Sequence, residues 1–195
     1  MLNLAEIRKV LAAYEPTLVE VPGGPAMQAA VALILHEAPG GDPELLYIER
    51  AQAEHDPWSG QMAFPGGRQE SRDADLQATA ARETLEETGI RLAQPIGRID
   101  DTTGGKAPDW QIVVSTFAYE LAERPRLQLN REVSSAVWVP LSWILNPESA
   151  AQYRFERAGF HGSYPAFHYR RYTVWGLTYR ILEKFVGILG RSLPS

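Results

Sequence analysis

Gly66 to Ile90 reads GGRQESRDADLQATAARETLEETGI: a glycine-rich entry, a polar loop, then a segment with helical periodicity. The spacing predicts a helix from about Ala74 to Thr88, stopped by Gly89, where a left-handed residue after the last turn belongs. On that helix Glu83, Glu86 and Glu87 stand at i, i+3 and i+4 and share one face. Ala74, Ala78, Ala81, Leu85 and Thr88 fall opposite, and being small or apolar they are expected to form the seam that packs on a sheet. The helix should therefore divide into a core stripe and an acid stripe.

Like charges four residues apart destabilise a helix by roughly a few tenths of a kcal/mol, so Glu83 and Glu87 carry a cost. Divalent magnesium or manganese would remove it, because hard cations take carboxylate oxygens together with water and phosphate. Arg82 reaches Glu86 at i+4 and can hold it. Three glutamates by themselves would read as a solvated face. The glycine-rich entry upstream and the Gly89 stop downstream favour a built site.

Outward from this segment the chain alternates strands and helices. MLNLAEIRKVLAAYE at the N-terminus places Leu4, Ile7, Leu11 and Tyr14 at helical spacing, a helix over about 3–15. Ala29–His36 and Leu45–Glu49 are apolar runs separated by Ala38-Pro39-Gly40-Gly41-Asp42-Pro43, two strands joined by a turn. Further strands are expected at Arg98–Asp101, Ile112–Leu121 and Val137–Pro140. A helical turn is expected at Leu141–Leu145 and a closing helix over about 175–189. Val21–Pro25 and Thr102–Asp109 read as loops. Strands mixed with helices, without repeat or low-complexity linker, point to one layered α/β (α+β) domain across 1–195.

Composition excludes several classes. Apolar residues make up 45% and charged residues 22%, the balance of a globular protein. No stretch reaches the roughly 20 unbroken apolar residues of a membrane helix, and the N-terminus lacks the apolar core of a secretory signal. With no cysteine there is neither a disulfide nor a thiolate metal site, and a cytoplasmic location is expected. A net charge of −5 argues against a nucleic-acid partner, though not against a small phosphate-bearing substrate.

The segment resembles the Nudix box. Gly67 opens it, and Arg82-Glu83-Thr84-Leu85-Glu86-Glu87-Thr88-Gly89-Ile90 completes it without mismatch. The interval from Gly67 to Arg82 is one residue longer than usual, so the early acidic position is open among Glu70, Asp73 and Asp75. The resemblance implies a Nudix fold, an α/β/α sandwich around a mixed sheet. It also implies a Mg2+- or Mn2+-dependent hydrolase of a pyrophosphate bond. Glu83, Glu86 and Glu87 would be metal ligands and Arg82 would belong to the catalytic set. Some members use one more glutamate outside the box, for which Glu132 is the candidate, with Glu120 and Asp100 as alternatives. Assembly as a homodimer is a further family expectation.

Upstream, LLYIERAQAEHDPWSGQMAFPGG (Leu45 to Gly67) is similar to the segment that marks coenzyme A pyrophosphatases within the family. Arg50, Gly60, Gln61, Ala63, Phe64, Pro65, Gly66 and Gly67 match that pattern, and the longer box loop, with Asp73 at its acidic position, occurs there too. The closing Tyr172–Leu182 is similar as well. Ala51, in place of a small hydroxyl residue, and the longer loop with His55-Asp56-Pro57-Trp58 depart from it. The implied substrate is coenzyme A or an acyl-CoA, cut to 3′,5′-ADP and the 4′-phosphopantetheine product. Arg50, Phe64, Gly66, Gly67 and Arg68 are the expected substrate contacts. Arg72 and Lys106 are further cations suited to phosphate, and Trp58, Trp110 and Phe64 are rings that could stack on adenine or line a pantetheine channel. His55, His161 and His168 show no metal-ligand spacing. The alternatives are a pyrophosphatase of ADP-ribose, nucleotide sugars or other nucleoside diphosphate derivatives, and a non-catalytic ligand-sensing module, which intact box glutamates disfavour.

Overall fold

The computed structural model describes residues 2–19, 27–52, 59–104, 112–157 and 160–195. The long apolar strand β1 (Met27–Glu37) is the axis of the fold. Along one edge it pairs in parallel with β6 (Ile112–Leu121), from Met27↔Ile112 to His36↔Leu121. Its other edge is shared. The far end, Leu35–Glu37, pairs antiparallel with β2 (Pro43–Arg50), whereas Ala29–Val31 pairs with the three-residue β4 (Gly66–Arg68). The sheet therefore forks, and β3 (Met62–Ala63) continues the β2 side of the fork. Outside these lie β5 (Gly97–Gly104) on β6 and β7 (Val133–Pro140) on β2, giving a mixed seven-stranded sheet.

Both faces of this sheet are buried, which is why β1 reads as a nearly continuous apolar run. Ala29, Leu33 and Leu35 face a core closed by α1 (Leu4–Ala12) and α4 (Gly176–Ile188). Ala30, Ala32 and Ile34 face the opposite core, under α2 (Leu76–Thr88). The result is the expected sandwich of helices on both sides of a mixed sheet. The short α3 (Leu141–Ile144) follows β7 as anticipated.

Several expectations are corrected, among them the loop expected from Thr102, since β5 continues through Gly104. Helix α2 begins at Leu76, with Asp75 as its N-cap, so Ala74 lies outside it and is exposed. Its buried stripe is Thr79, Ala80, Thr84, Glu87 and Thr88, while Leu85 faces outward at 36% exposure. The helix is thus turned so that glutamates, not Leu85, approach the sheet. The cause is the partner: β4 supplies two glycines in front of the helix, and their bare backbone leaves room for carboxylates. Gly66–Arg68 form a strand rather than a loop because they pair with Ala29–Val31, an approach that needs glycine at Gly66, where φ is +152° and a Cβ would stand 2.3 Å from the Ala30 carbonyl oxygen. Finally, β8 (Ala150–Arg157), β9 (Phe160–Tyr169) and β10 (Tyr172–Trp175) form a second antiparallel sheet that was not anticipated. It seals the α1/α4 core with Phe167 and Val174.

Candidate active site

The site is built where the fork of the main sheet meets α2. Asp75 Oδ1 accepts from the Ala78 amide at 2.7 Å and starts the helix, and Gly89, at φ +76°, ends it as expected. Between these caps the acid stripe crosses β4. The Gly66 amide donates to Glu87 Oε2 at 2.9 Å. Glu83 lies so close to Gly67 that a Cβ on that residue would come within 2.4 Å of Oε1. Any side chain at Gly67 would displace the carboxylate, so glycine is required by close approach here. Glu87 is only 4% exposed, whereas the Glu86 side chain is 45% exposed and points away from the sheet.

Arg82 organises the loop before the helix. Its Nε and Nη2 donate to the two oxygens of Asp73 at 2.8 and 3.0 Å, a bidentate pair whose side chains are 14% and 4% exposed. Nη2 also donates to the Arg68 carbonyl at 3.1 Å, and Nη1 lies 3.0 Å from Glu83 and 3.4 Å from Glu86. The i+4 contact to Glu86 is therefore present but secondary. Asp73 also accepts from the Glu70 amide and the Thr79 hydroxyl. The three early acids divide the work: Asp75 caps the helix, Asp73 grips Arg82, and Glu70 pairs with Arg72 at 2.9 Å. The guanidinium of Arg82 holds the Asp73 carboxyl far below the usual range, and Asp73 in turn raises Arg82.

The glutamates behave in the opposite way. Burial pushes the Glu87 carboxyl up to about 8, against the Gly66 hydrogen bond and the Arg50 charge and with further repulsion from Glu83 and Glu132. Burial likewise raises Glu83, with Arg82 opposing and Glu86 and Glu132 adding repulsion. Glu132, the exposed residue just before β7, is near enough for its charge to be felt at Glu83 and Glu87, and its carbonyl accepts from the Ala51 amide at 2.8 Å. Arg50, at the end of β2, is the cation whose charge is felt at Glu87.

Other predicted residues are not brought here. Glu120 is paired with Arg8 at 2.5 Å, and Asp100 accepts from the Tyr14 hydroxyl and the Thr17 amide at 2.9 and 2.7 Å; both hold the N-terminal segment. Phe64 is 2% exposed and stacks on Tyr47 with ring centres 4.7 Å apart, so its expected contact with substrate is corrected to a core role. Two cations do stay beside the site: Arg68 lies exposed on β4 directly after Gly67, with its carbonyl accepting from Arg82, and Arg72 bridges Glu70 and Glu86. Lys106, Trp58, Trp110 and the 55–58 segment lie outside the described residues.

The donor set fits a hard divalent cation in kind. Carboxylates that repel one another across a glycine cradle are what such an ion neutralises. Among the described residues, however, no three acidic or histidine side chains converge on one point in this conformation. Arginine accounts for that spread: Glu86 is drawn to Arg72 and Arg82, and Glu83 to Arg82.

The NUDIX domain family matches residues 26–158, and the chain belongs to that family. Members of the family generally use a divalent metal such as Mg2+ or Mn2+. A protein of Schizosaccharomyces pombe is 32% identical over 191 residues, covering 85% of this chain and 57% of that protein. The human mitochondrial coenzyme A diphosphatase NUDT8 is 31% identical over 150 residues, covering 73% of this chain. The chain spans only 57% and 61% of the length of these two relatives. A MutT/nudix family protein from Enterococcus faecalis shares the fold, with a TM-score of 0.60 at 15% identity over 97% of this chain and 70% of that one. Among the described residues no helix is long and apolar enough to cross a membrane.

Proposed function

We propose that this chain hydrolyses the pyrophosphate bond of coenzyme A or its thioesters, giving 3′,5′-ADP and a 4′-phosphopantetheine product. The observation that carries the reading is the junction of two segments. The Arg50–Gly67 stretch delivers the Arg50 charge, the Gly66 amide and the Gly67 cradle directly onto Glu87 and Glu83. Its GQMAFPGG sequence and the name of the human relative both favour coenzyme A over other diphosphates.

Glu83, Glu86 and Glu87 would hold Mg2+ or Mn2+, which supplies neutralisation of the phosphate oxygens and a water of lowered pKa. The chain does the rest. Arg82, fixed by Asp73, keeps Glu83 over the cradle and tethers Glu86 beside it. Arg50 and Arg68 hold phosphate oxygens from the sheet side. Glu132 takes a proton from the water that attacks phosphorus, and the P–O bond of the departing phosphate breaks as the new one forms. The test is a panel of coenzyme A, acetyl-CoA, ADP-ribose, nucleotide sugars and nucleoside triphosphates, each with Mg2+ and with Mn2+. Coenzyme A or its thioester should show the highest kcat/KM; a tenfold preference for ADP-ribose or a nucleotide sugar would overturn the substrate assignment.

A further inference from the structure

On the face of the main sheet away from α2, a groove of about 700 Å³ opens between β3 and the second sheet. Side chains alternate along β2, so Glu49 lines this groove while Arg50, the next residue, acts on Glu87 on the other face. Met62, at the groove, is four residues from Gly66, so the two places are at most about 14 Å apart along the chain. The strand between them, β3, is only two residues long, which makes it a low wall. Thr178 donates to the Met62 carbonyl at 3.0 Å and pins that wall to α4.

One side of the groove is aromatic. Tyr153 lies parallel to Trp175, with ring centres 4.1 Å apart and planes at 14°, and Phe155 tilts beside Trp175 at 5.3 Å. Gln61 and Ser59 line the same groove. Two guanidinium groups stand at the rim. Arg171 is locked onto Glu49 at 2.7 and 3.2 Å and over the Tyr172 ring at 4.4 Å, yet its side chain remains 61% exposed. Arg154, on an outward position of β8, is the second. Two carboxylates share the groove: Glu49, which accepts from Arg171 and from the Ser135 hydroxyl at 2.6 Å, and the exposed Glu156.

A stacking wall, amides for a ring edge and arginines at the rim match a phosphorylated purine nucleoside. We infer that this groove binds the nucleoside end of the substrate, the base against Tyr153 and Phe155 and a phosphate remote from the scissile bond on Arg154 and Arg171. The inference rests on the coenzyme A reading, whose nucleoside carries such a phosphate. A substrate gripped only at its centre would be poorly oriented, and binding at a distant part is what fixes it for reaction.

The experiment measures binding of 3′,5′-ADP to metal-free protein by calorimetry, together with kcat and KM for coenzyme A and for dephospho-coenzyme A. Tyr153→Ala should weaken 3′,5′-ADP about tenfold and raise KM for both substrates by a similar factor, with kcat changed less than twofold. Tyr153→Phe, which keeps the ring, should restore binding. Arg154→Gln with Arg171→Gln should raise KM for coenzyme A but not for dephospho-coenzyme A, which lacks the remote phosphate. Unchanged KM in both variants, or Tyr153-dependent binding of 4′-phosphopantetheine in place of 3′,5′-ADP, overturns the inference. If the substrate panel shows no coenzyme A turnover, the coenzyme A reading has failed. The same variants are then assayed on the substrate that is cleaved, and an unchanged KM there overturns the groove as well.

Discussion

Two buried acidic clusters sit at opposite ends of β1, and they are handled in opposite ways. At the far end Glu44, 1% exposed, is met by His36 Nδ1 at 2.9 Å and by Nε and Nη2 of Arg124, which also covers the Trp138 ring at 5.4 Å. At the near end Glu83 and Glu87 face each other and Glu132, with one amide and two arginine charges in partial compensation. Burial of a carboxylate is therefore not the distinguishing feature. A paired buried acid is part of the frame, whereas buried acids that raise one another are stabilised only by something that arrives.

The largest test of this contrast is Glu87→Gln. Turnover should fall by about three orders of magnitude, as expected for loss of a metal ligand. Stability of the metal-free protein should move the other way. The Glu87 carboxyl titrates near 8 when folded against about 4.5 ordinarily, so the folded state binds the proton more tightly. Stability due to this group is fully present below pH 4.5 and is lost as pH rises through 8, amounting to at most about 5 kcal/mol. Glutamine cannot ionise, so at pH 8 in EDTA the variant should melt higher than the parent, and the gain should vanish at pH 4.5. A variant that melts lower at pH 8 would mean that the Glu87 carboxylate is already well compensated, and the contrast with Glu44 would fail.

Asp73→Asn tests the frame of the near cluster. Arg82 would lose its bidentate partner and be free to pull Glu83 and Glu86 out of place, cutting kcat about ten- to a hundredfold and lowering Tm by several degrees. The sign of its pH effect is opposite to that of Glu87. The folded pKa of Asp73 is depressed, so its contribution is present above about pH 4 and is lost as pH falls through the lower folded value. Acid unfolding followed by circular dichroism should show a shallower decline in the variant than in the parent below pH 4.

Glu44→Gln perturbs the far cluster. It leaves Arg124 and His36 without their shared anion and should cost about 3 kcal/mol in chemical denaturation. Both kcat and KM should be unchanged, because among the described residues no hydrogen bond of Glu44 reaches α2. A fall in kcat would show that the two ends of β1 are coupled.

What was legible in the sequence follows the same divide between local and tertiary causes. The helix, its Gly89 cap, the β1–β2 hairpin and β6 were readable, because capping and apolar runs act within a few residues. Which stripe of α2 faces the sheet was not readable, since it depends on Gly66 and Gly67 presenting bare backbone across the fork. The grip of Asp73 on Arg82 spans nine residues of chain and needs a loop path that composition does not reveal. The second sheet carries a partial signal in the sequence. Tyr153 and Phe155 alternate with Gln152, Arg154 and Glu156 at period two, while Gly162 and Pro165 obscure its partner strand.

Phe64 shows how a motif match can mislead about role. It stands in the stretch that marks the substrate class, and an aromatic ring beside a phosphate site suggests stacking. In the structure Pro65, the next residue, gives its carbonyl to the Ala32 amide at 2.8 Å, which anchors the turn from β3 into β4. Phe64 fills the space beneath that turn against Tyr47. The residue matters because it fixes where Gly66 and Gly67 stand, with no atom offered to a ligand. Phe64→Leu should cost about 1 to 2 kcal/mol of stability through lost packing, the smallest effect of the series. KM for coenzyme A should stay within twofold, with only a modest loss of kcat as the glycine cradle loosens. A tenfold rise in KM with normal kcat would restore the ring to the substrate and show that the turn opens when ligand binds.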